Sequence, residues 1–327
     1  MTSIRTLIIL FALLLSGELI AQVPAFSQYW LSQQQTTATA MAHTTYTQVT
    51  AHYRKQLLAP ALGYKTFGLS GSMPLYYKSS HKLFGTAGIS LLHDESGAPG
   101  LLRTQGVVGG YTSHIHISSR HQLLGGVQLG YWHRSINWSK VSTDSQYQDG
   151  APVAGADTGE QWSGQGSSVL QVNLGLGWHY TNEQGEQVAR ISLGAANVNR
   201  PKYKSLDNSK PEGTPLHLTV TGAVLALNTP AIAIEPGFIL QQEQKHTQVA
   251  VGALFSKALA AGGSIAESLV GLSAYYSHQQ AFRLSLQLLQ PKFLVGIGYD
   301  IPAGTAADSR ITSALEVHIG WRMQKGQ

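Results

Sequence analysis

The chain contains no cysteine, which excludes disulfide bonds and thiolate metal sites. Charged residues are also scarce, because Asp, Glu, Lys and Arg make up only 12% of the 327 residues, about half the usual share of a soluble domain. The formal net charge is +5, yet no block of Lys and Arg stands out, so we expect no nucleic-acid partner. After residue 22 no apolar run is long enough for a transmembrane helix, so any membrane crossing must use strands.

The first 21 residues have the layout of a secretory signal peptide. Arg5 precedes an apolar run from Leu7 to Leu15, and a small-residue exit predicts cleavage near Ala21 and Gln22. A membrane anchor helix is the alternative, but the apolar run is short for such a helix. We therefore predict that the mature chain is exported.

Alternating segments recur along the rest of the chain. The stretch VLQVNLGLGWHY at 169–180 is typical, because apolar residues occupy one set of alternate positions and polar residues or Gly the other. This period of two predicts a strand with one apolar and one polar face. All such stretches together predict about fourteen strands between Thr45 and Met323, an even number as in bacterial single-chain barrels.

A soluble β-sandwich alternates in the same way, so other features must show what the apolar faces touch. The polar faces are mostly Gly, Ser, Thr, Asn and Gln, with few of the Lys and Glu that coat a water-exposed sheet. Aromatic residues cluster near predicted strand ends, as in the interfacial girdles of membrane barrels. These aromatics are Tyr76, Tyr77, Tyr131, Trp132, Trp178, Tyr180, Tyr275, Tyr276, Tyr299 and Trp321. We predict an all-β fold, a transmembrane antiparallel β-barrel of about fourteen strands.

The N-terminal segment 22–44 is rich in Gln, Thr and Ala and weakly patterned, and we predict that it lies at the barrel mouth or in the lumen. Residues 45–327 are predicted to form the outer-membrane barrel, with short turns alternating with long polar loops. The longest predicted loops are 137–168, the stretch VNRPKYKSLDNSKPEGTP and the stretch KALAAGGSIAES. Inward glycines are expected to relieve crowding in a narrow lumen or to allow strand curvature.

The first and last strands must meet to close the barrel, and both carry charge on their predicted inward faces. The adjacent Arg54 and Lys55 leave opposite faces of the first strand, and we place Arg54 inside. The hypothesis is a charged cluster at this seam. Its predicted members are Arg54, Glu316, His318 and Arg322.

Two patterns contain the residue types of a metal site or of a hydrolase, but the arrangement of the residues does not suit either. His114 and His116 share a strand face at a spacing that can hold a metal, but no carboxylate or third His lies beside them. The run from His93 to Ser96 has hydrolase residue types, yet adjacent residues in a turn cannot form a triad. We therefore predict a protein that is not an enzyme, with no catalytic residue, cofactor or metal.

Several motifs resemble a known family. AQVPAFSQYW, directly after the predicted cleavage site, resembles the mature start of the PorP/SprF family of type IX secretion system membrane proteins. HYRKQ at 52–56 is similar to the family's first-strand signature, while 88–117 and 233–244 resemble a later hairpin and a later strand with an internal Pro. The resemblance spans nearly the whole predicted mature chain in order. The family-motif residues are Phe26, Ser27, Gln28, Tyr29, Tyr53, Arg54, Lys55, Gln56 and Pro236.

The resemblance implies a Bacteroidota-type protein of the cell outer membrane. Such proteins support the export or surface anchoring of adhesins or other cargo in secretion and gliding, by protein-protein binding. The implied partners are outer-membrane lipid, periplasmic type IX components and a secreted adhesin or cargo protein. The alternative, from another functional class, is an outer-membrane channel or transporter for small solutes.

Overall fold

The structure of the chain is a computed structural model that is all-β, with 73% of residues in strands and 3% in helices. It describes residues 26–43, 46–59, 62–97, 101–137, 144–148, 151–153, 156, 166–204, 213–259, 268–278, 281–303 and 313–323. The predicted signal peptide and its cleavage site lie outside these residues. In the described part of the chain, no helix is both long and apolar enough to cross a membrane.

Fourteen antiparallel strands form one closed barrel, which confirms the predicted fold class. The strands β1 to β14 are, in chain order, Thr47–Ala59, Leu62–Tyr76, Leu83–Gly97, Leu102–His116, His121–Ile136, Gly166–Thr181, Gln187–Ala196, His217–Val224, Ile232–Glu243, His246–Ala258, Leu269–Ser277, Ala281–Leu289, Phe293–Pro302 and Ala314–Met323. Each strand pairs with its neighbours in sequence, and β1 pairs with β14 from Thr47↔Met323 to Gln56↔Ala314. This last pairing closes the sheet, so the barrel has no free edge.

The faces of the barrel are inverted relative to a soluble protein, in which apolar residues are the buried ones. Leu170 is 68% exposed on the outer surface, whereas Thr86, Thr112 and His318 are fully buried inside. A closed barrel satisfies all its backbone groups and can therefore stand in hydrocarbon. Lipid, not a protein core, is what covers the apolar faces of these strands.

Two aromatics from the predicted girdle lie inside the barrel instead. Tyr275 is buried in the lumen, and the Trp132 ring covers the inner side of Gly130 and of Gly106 on β4. Adjacent residues of a strand face opposite sides. Tyr131 and Tyr276 therefore face outward, and their neighbours in sequence cannot also reach the membrane interface.

Long connections occur at both ends of the barrel. Strand direction places 137–165 and 197–216 together at the end opposite the N-terminus of β1. In contrast, 259–268 joins β10 to β11 at the end where β1 begins and β14 ends. The predicted alternation of short turns and long loops therefore does not extend to this third connection.

Pro236 lies within β9, where a residue without a backbone N–H needs a special position. The β8–β9 ladder ends at Ala223↔Gly237, and Pro236 is exposed just beyond it. The two-residue strand Leu227–Asn228 then continues the pairing with β9 further along. The missing N–H therefore leaves no gap in the ladder with β8.

Candidate functional site

Residues 26–43, which we call the lumen segment, lie inside the barrel. The segment contains one helical turn, α1 (Gln33–Thr36), and a 3-10 turn (Ala40–His43). Thr39 and Met41 are 0% exposed, although neither belongs to a strand. The structure thus places the described part of the predicted N-terminal segment in the lumen.

Hydrogen bonds join the lumen segment to several strands of the wall. The Gln34 Nε2 atom donates to the Gly71 carbonyl on β2 at 2.6 Å, and the Thr112 hydroxyl on β4 donates to the Ala38 carbonyl at 2.7 Å. The Gln128 Nε2 atom on β5 donates to the Gln34 carbonyl at 3.0 Å. These partners all lie between β2 and β5, so the bonds hold the segment against this part of the wall.

Inward glycines provide the space in which the lumen segment lies. A Cβ on Gly126 would lie 2.8 Å from the carbonyl oxygen of Ala38, and one on Gly194 would lie 2.9 Å from the Thr37 side chain. Real Cβ atoms essentially never approach other atoms so closely. Of the two predicted roles for these glycines, relief of crowding explains both positions.

The substitution Gly126→Leu is expected to push the lumen segment out of place, because the added side chain needs the space that Ala38 fills. The measurement is ion conductance of the purified protein in planar bilayers, which should rise. Gly109→Leu is the matched control, since a Cβ on Gly109 meets nothing within 4 Å. Equal conductance of the two variants would contradict the close packing of the segment on β5.

The charge cluster at the β1–β14 seam holds the start of the lumen segment. Arg54 and Glu316 are cross-strand partners, and Arg54 forms ion pairs with Glu316 and, at 3.0 Å, with Asp300. The carboxylate of Glu316 also accepts the backbone N–H of Ser27 at 2.6 Å and that of Gln28 at 3.1 Å. We call Arg54, Asp300 and Glu316 the seam triad.

Ser27 completes the connection between the segment and the triad. Its hydroxyl donates to Asp300 and accepts from Arg54. Glu316 is only 1% exposed, so its charge depends on these donors and on Arg54 for compensation. The Phe-Ser-Gln motif is therefore fixed to the wall through the backbone and the serine hydroxyl.

Two buried histidines extend the cluster along the seam. His52 and His318 are cross-strand partners, and their Nδ1 atoms lie 2.5 Å apart. The Nε2 atom of His52 is 2.9 Å from the Thr50 hydroxyl, and the Nε2 atom of His318 is 3.4 Å from Glu316. Because two ring nitrogens this close can share only one proton between them, the pair forms a single hydrogen-bonded unit. Phe26 packs against both rings, at centroid distances of 5.4 and 6.1 Å.

A second set of contacts holds the segment on β11, three strands from the seam. The ring of Trp30 stacks on Tyr275 at a centroid distance of 4.7 Å, and the hydroxyls of Tyr29 and Tyr275 are 3.5 Å apart. Nearby, Arg190 makes a bidentate ion pair with Glu235, with N–O distances of 2.8 and 2.6 Å. This geometry is typical of a strong, oriented Arg–carboxylate contact.

The structure brings together only some of the residues predicted at the seam. Arg54, Glu316 and His318 are in contact, but Arg322 lies farther along β14, with its guanidinium 4.9 Å from the ring centre of Tyr46. Of the other motif residues on β1, Gln56 faces the lumen and accepts a hydrogen bond from Arg54 at 3.3 Å. Tyr53 and Lys55 are exposed on the outer face.

The residues considered for metal or hydrolytic chemistry have structural partners. The Nε2 atom of His114 is 2.9 Å from the Thr86 hydroxyl, and that of His116 is 3.1 Å from Gln122. Asp94 accepts from the Thr66 hydroxyl at 2.6 Å. Within the described ranges, no group of three or more His, Asp or Glu side chains is placed to hold a metal ion.

The sequence analysis missed Asp300 and the aromatic contact of Tyr275. A signal for Asp300 was present, because Ile297, Tyr299 and Ile301 form the apolar face of β13 and leave Asp300 on the inward face. No comparable signal pointed to the lumen segment as the partner of the triad. Its contacts depend on backbone N–H groups, which have no sequence signature.

Comparison with known proteins gives two kinds of similarity. The sequence profile of the type IX secretion system membrane protein PorP/SprF matches residues 19–320. No curated protein matches the chain. The fold is similar to the crystal structure of the Ralstonia pickettii toluene transporter TbuX, with 9% identity, a TM-score of 0.51 and coverage of 90% of this chain and 93% of that chain. It is also similar to the CymD monoaromatic hydrocarbon channel, with 10% identity, a TM-score of 0.52 and coverage of 94% and 95%.

Proposed function

The chain belongs to the PorP/SprF family of type IX secretion system membrane proteins, and from this premise we propose that it works by binding other proteins. The barrel fixes the protein in the outer membrane. Turns at one end bind periplasmic components of the secretion system, and loops at the other end bind a secreted adhesin or other cargo. In this proposal the protein carries out no chemical reaction.

The observation that supports binding over transport is the filled lumen. The lumen segment crosses the barrel, from the seam triad, which holds Ser27 and Gln28, to Gly126 on β5 and Gly194 on β7 at the far wall. While the segment occupies the lumen, the barrel is poorly suited to a steady flow of solutes and is better suited to act as a membrane scaffold. Its exchangeable surfaces are the turns and loops at its two ends, which are the usual positions of binding residues.

A channel or transporter for small solutes is the second candidate, because the two similar structures named above are a toluene transporter and a hydrocarbon channel. At 9% and 10% identity this likeness concerns the fold alone. A cleft between Trp30, Arg190 and Ala223 has a volume of about 30 Å³. A cavity that binds benzene has about 150 Å³, so this cleft has room for water and not for an aromatic solute.

Site-specific photo-crosslinking in outer membranes tests the proposed function. A photoreactive residue at Glu183, in the exposed β6–β7 turn, should capture a periplasmic secretion component, because this turn is at the end of the barrel where β1 begins and β14 ends. One at Lys202, in the exposed β7–β8 connection at the other end, should capture a secreted protein. The same group at Leu129 on the lipid face is the control and should capture neither. Failure at both ends, together with large conductance of the intact protein, would favour the channel.

A further inference from the structure

Arg283 lies beside the seam triad without belonging to it. On the sheet it is the cross-strand partner of Asp300 on β13 and of Tyr275 on β11. Its Nε atom is shielded from solvent, and no described residue offers that atom an acceptor. The ion pairs of Asp300 and Glu316 are made with Arg54. Among the described residues, Arg283 is thus a lumen-facing arginine next to two carboxylates with no ion pair of its own.

This arrangement needs an explanation, because a guanidinium N–H that is shielded from solvent and has no acceptor is unfavourable. Directly opposed residues of antiparallel strands have Cβ atoms about 5 Å apart, so Asp300 is within reach of Arg283. In the structure, however, Asp300 is turned to Ser27 and Arg54. The lumen segment and Arg54 therefore keep Asp300 away from its direct neighbour on the sheet.

Departure of the lumen segment would remove hydrogen-bond donors from the two carboxylates of the seam triad. Glu316 would lose the backbone N–H groups of Ser27 and Gln28, and Asp300 would lose the Ser27 hydroxyl. The two carboxylates would then share Arg54 as their one arginine partner. Rotation of the Asp300 side chain toward Arg283 would give each carboxylate its own arginine, Arg54 for Glu316 and Arg283 for Asp300.

We propose that Arg283 is a reserve partner for Asp300, which pairs with it when the lumen segment leaves. The barrel wall then has two stable arrangements, one for a filled and one for an empty lumen. The segment is accordingly a reversible plug and not a permanent part of the core. This proposal does not depend on which protein the barrel binds.

The test compares thermal unfolding of the intact chain with that of a chain lacking residues 26–43. In the intact chain, Arg283→Met should change the unfolding temperature by less than about 2 °C, because Arg283 has no ion pair to lose. In the shortened chain the same substitution should lower it by about 5 °C or more, because the Arg283–Asp300 pair is then broken. Arg54→Met is the comparison variant and should lower the unfolding temperature of both chains.

A second substitution identifies the partner. In the shortened chain, adding Arg283→Met to Asp300→Asn should cause no further loss, because the pair is already broken. If the shortened chain does not fold, Gly126→Leu, which displaces the segment, replaces it in the same comparison. The proposal would be overturned if Arg283→Met lowered the unfolding temperature equally with and without the segment. It would also be overturned if, in the shortened chain, Arg283→Met lowered the unfolding temperature as much in the presence of Asp300→Asn as in its absence.

Discussion

A chain without residues 26–43 is expected to conduct ions at least about tenfold better than the intact chain in planar bilayers. An eight-stranded barrel is just wide enough to be filled by its own side chains, whereas barrels of 16 to 18 strands leave an aqueous channel. A fourteen-stranded barrel lies between these sizes, so its wall side chains alone do not close it. The lumen segment supplies the missing material, and its Thr39 and Met41 are fully buried.

The deletion must leave the remainder of the chain unchanged, including residues 1–25, so that export and insertion are not altered. Adding a synthetic peptide with the sequence of residues 26–43 should lower the conductance again, because the seam triad and the inward glycines remain available to bind it. A peptide of the same composition in scrambled order is the control. Unchanged conductance after the deletion would show that the segment is not what closes the lumen.

The fold was predictable because a membrane barrel has a simple physical signature. In β6, Leu170 and Leu176 are outward and His179 is buried, as the period of two requires. Lipid covers the whole outer face, so the alternation continues along each strand without the charged interruptions of a water-exposed sheet. The exceptions are pairs such as Tyr275 and Tyr276, which lie together near a strand end although only Tyr276 faces outward.

The seam was predictable only in part, because a shared face does not mean a shared position. Arg54 and Glu316 are direct partners across the seam. Arg322 is on the same face of β14 but six residues beyond Glu316, which is about 20 Å along the strand at the usual rise per residue. It therefore lies near Tyr46 at the end of the barrel, outside the cluster.

The position of the lumen segment was harder to derive. The segment has no strand or helix period of useful length, since α1 has only four residues. Its place is determined by backbone groups of Ser27 and Gln28 and by gaps at Gly126 and Gly194. Such gaps arise when the barrel closes and brings distant strands around one space, and no local pattern records them.

Replacing Glu316 with alanine is expected to destabilise the barrel by about 3 kcal/mol, the usual cost of breaking a buried ion pair. The substitution leaves two backbone N–H groups, those of Ser27 and Gln28, without their acceptor. It also removes one of the two carboxylates of Arg54, and Asp300 at 3.0 Å compensates only part of this loss. For a chain of 327 residues, the loss corresponds to an unfolding temperature lowered by about 4 to 5 °C.

The matched control for Glu316→Ala is Arg322→Ala, a loss of charge on the same face of the same strand. Arg322 lies over the ring of Tyr46, a contact with an expected value of about 0.5–1 kcal/mol. Its removal should therefore lower the unfolding temperature much less. Glu316→Gln should lie between the two, because the amide oxygen can still accept one N–H while the ion pair with Arg54 is lost. Heat stability that is unchanged in Glu316→Ala, or reduced equally in Arg322→Ala, would show that the seam triad does not secure the lumen segment.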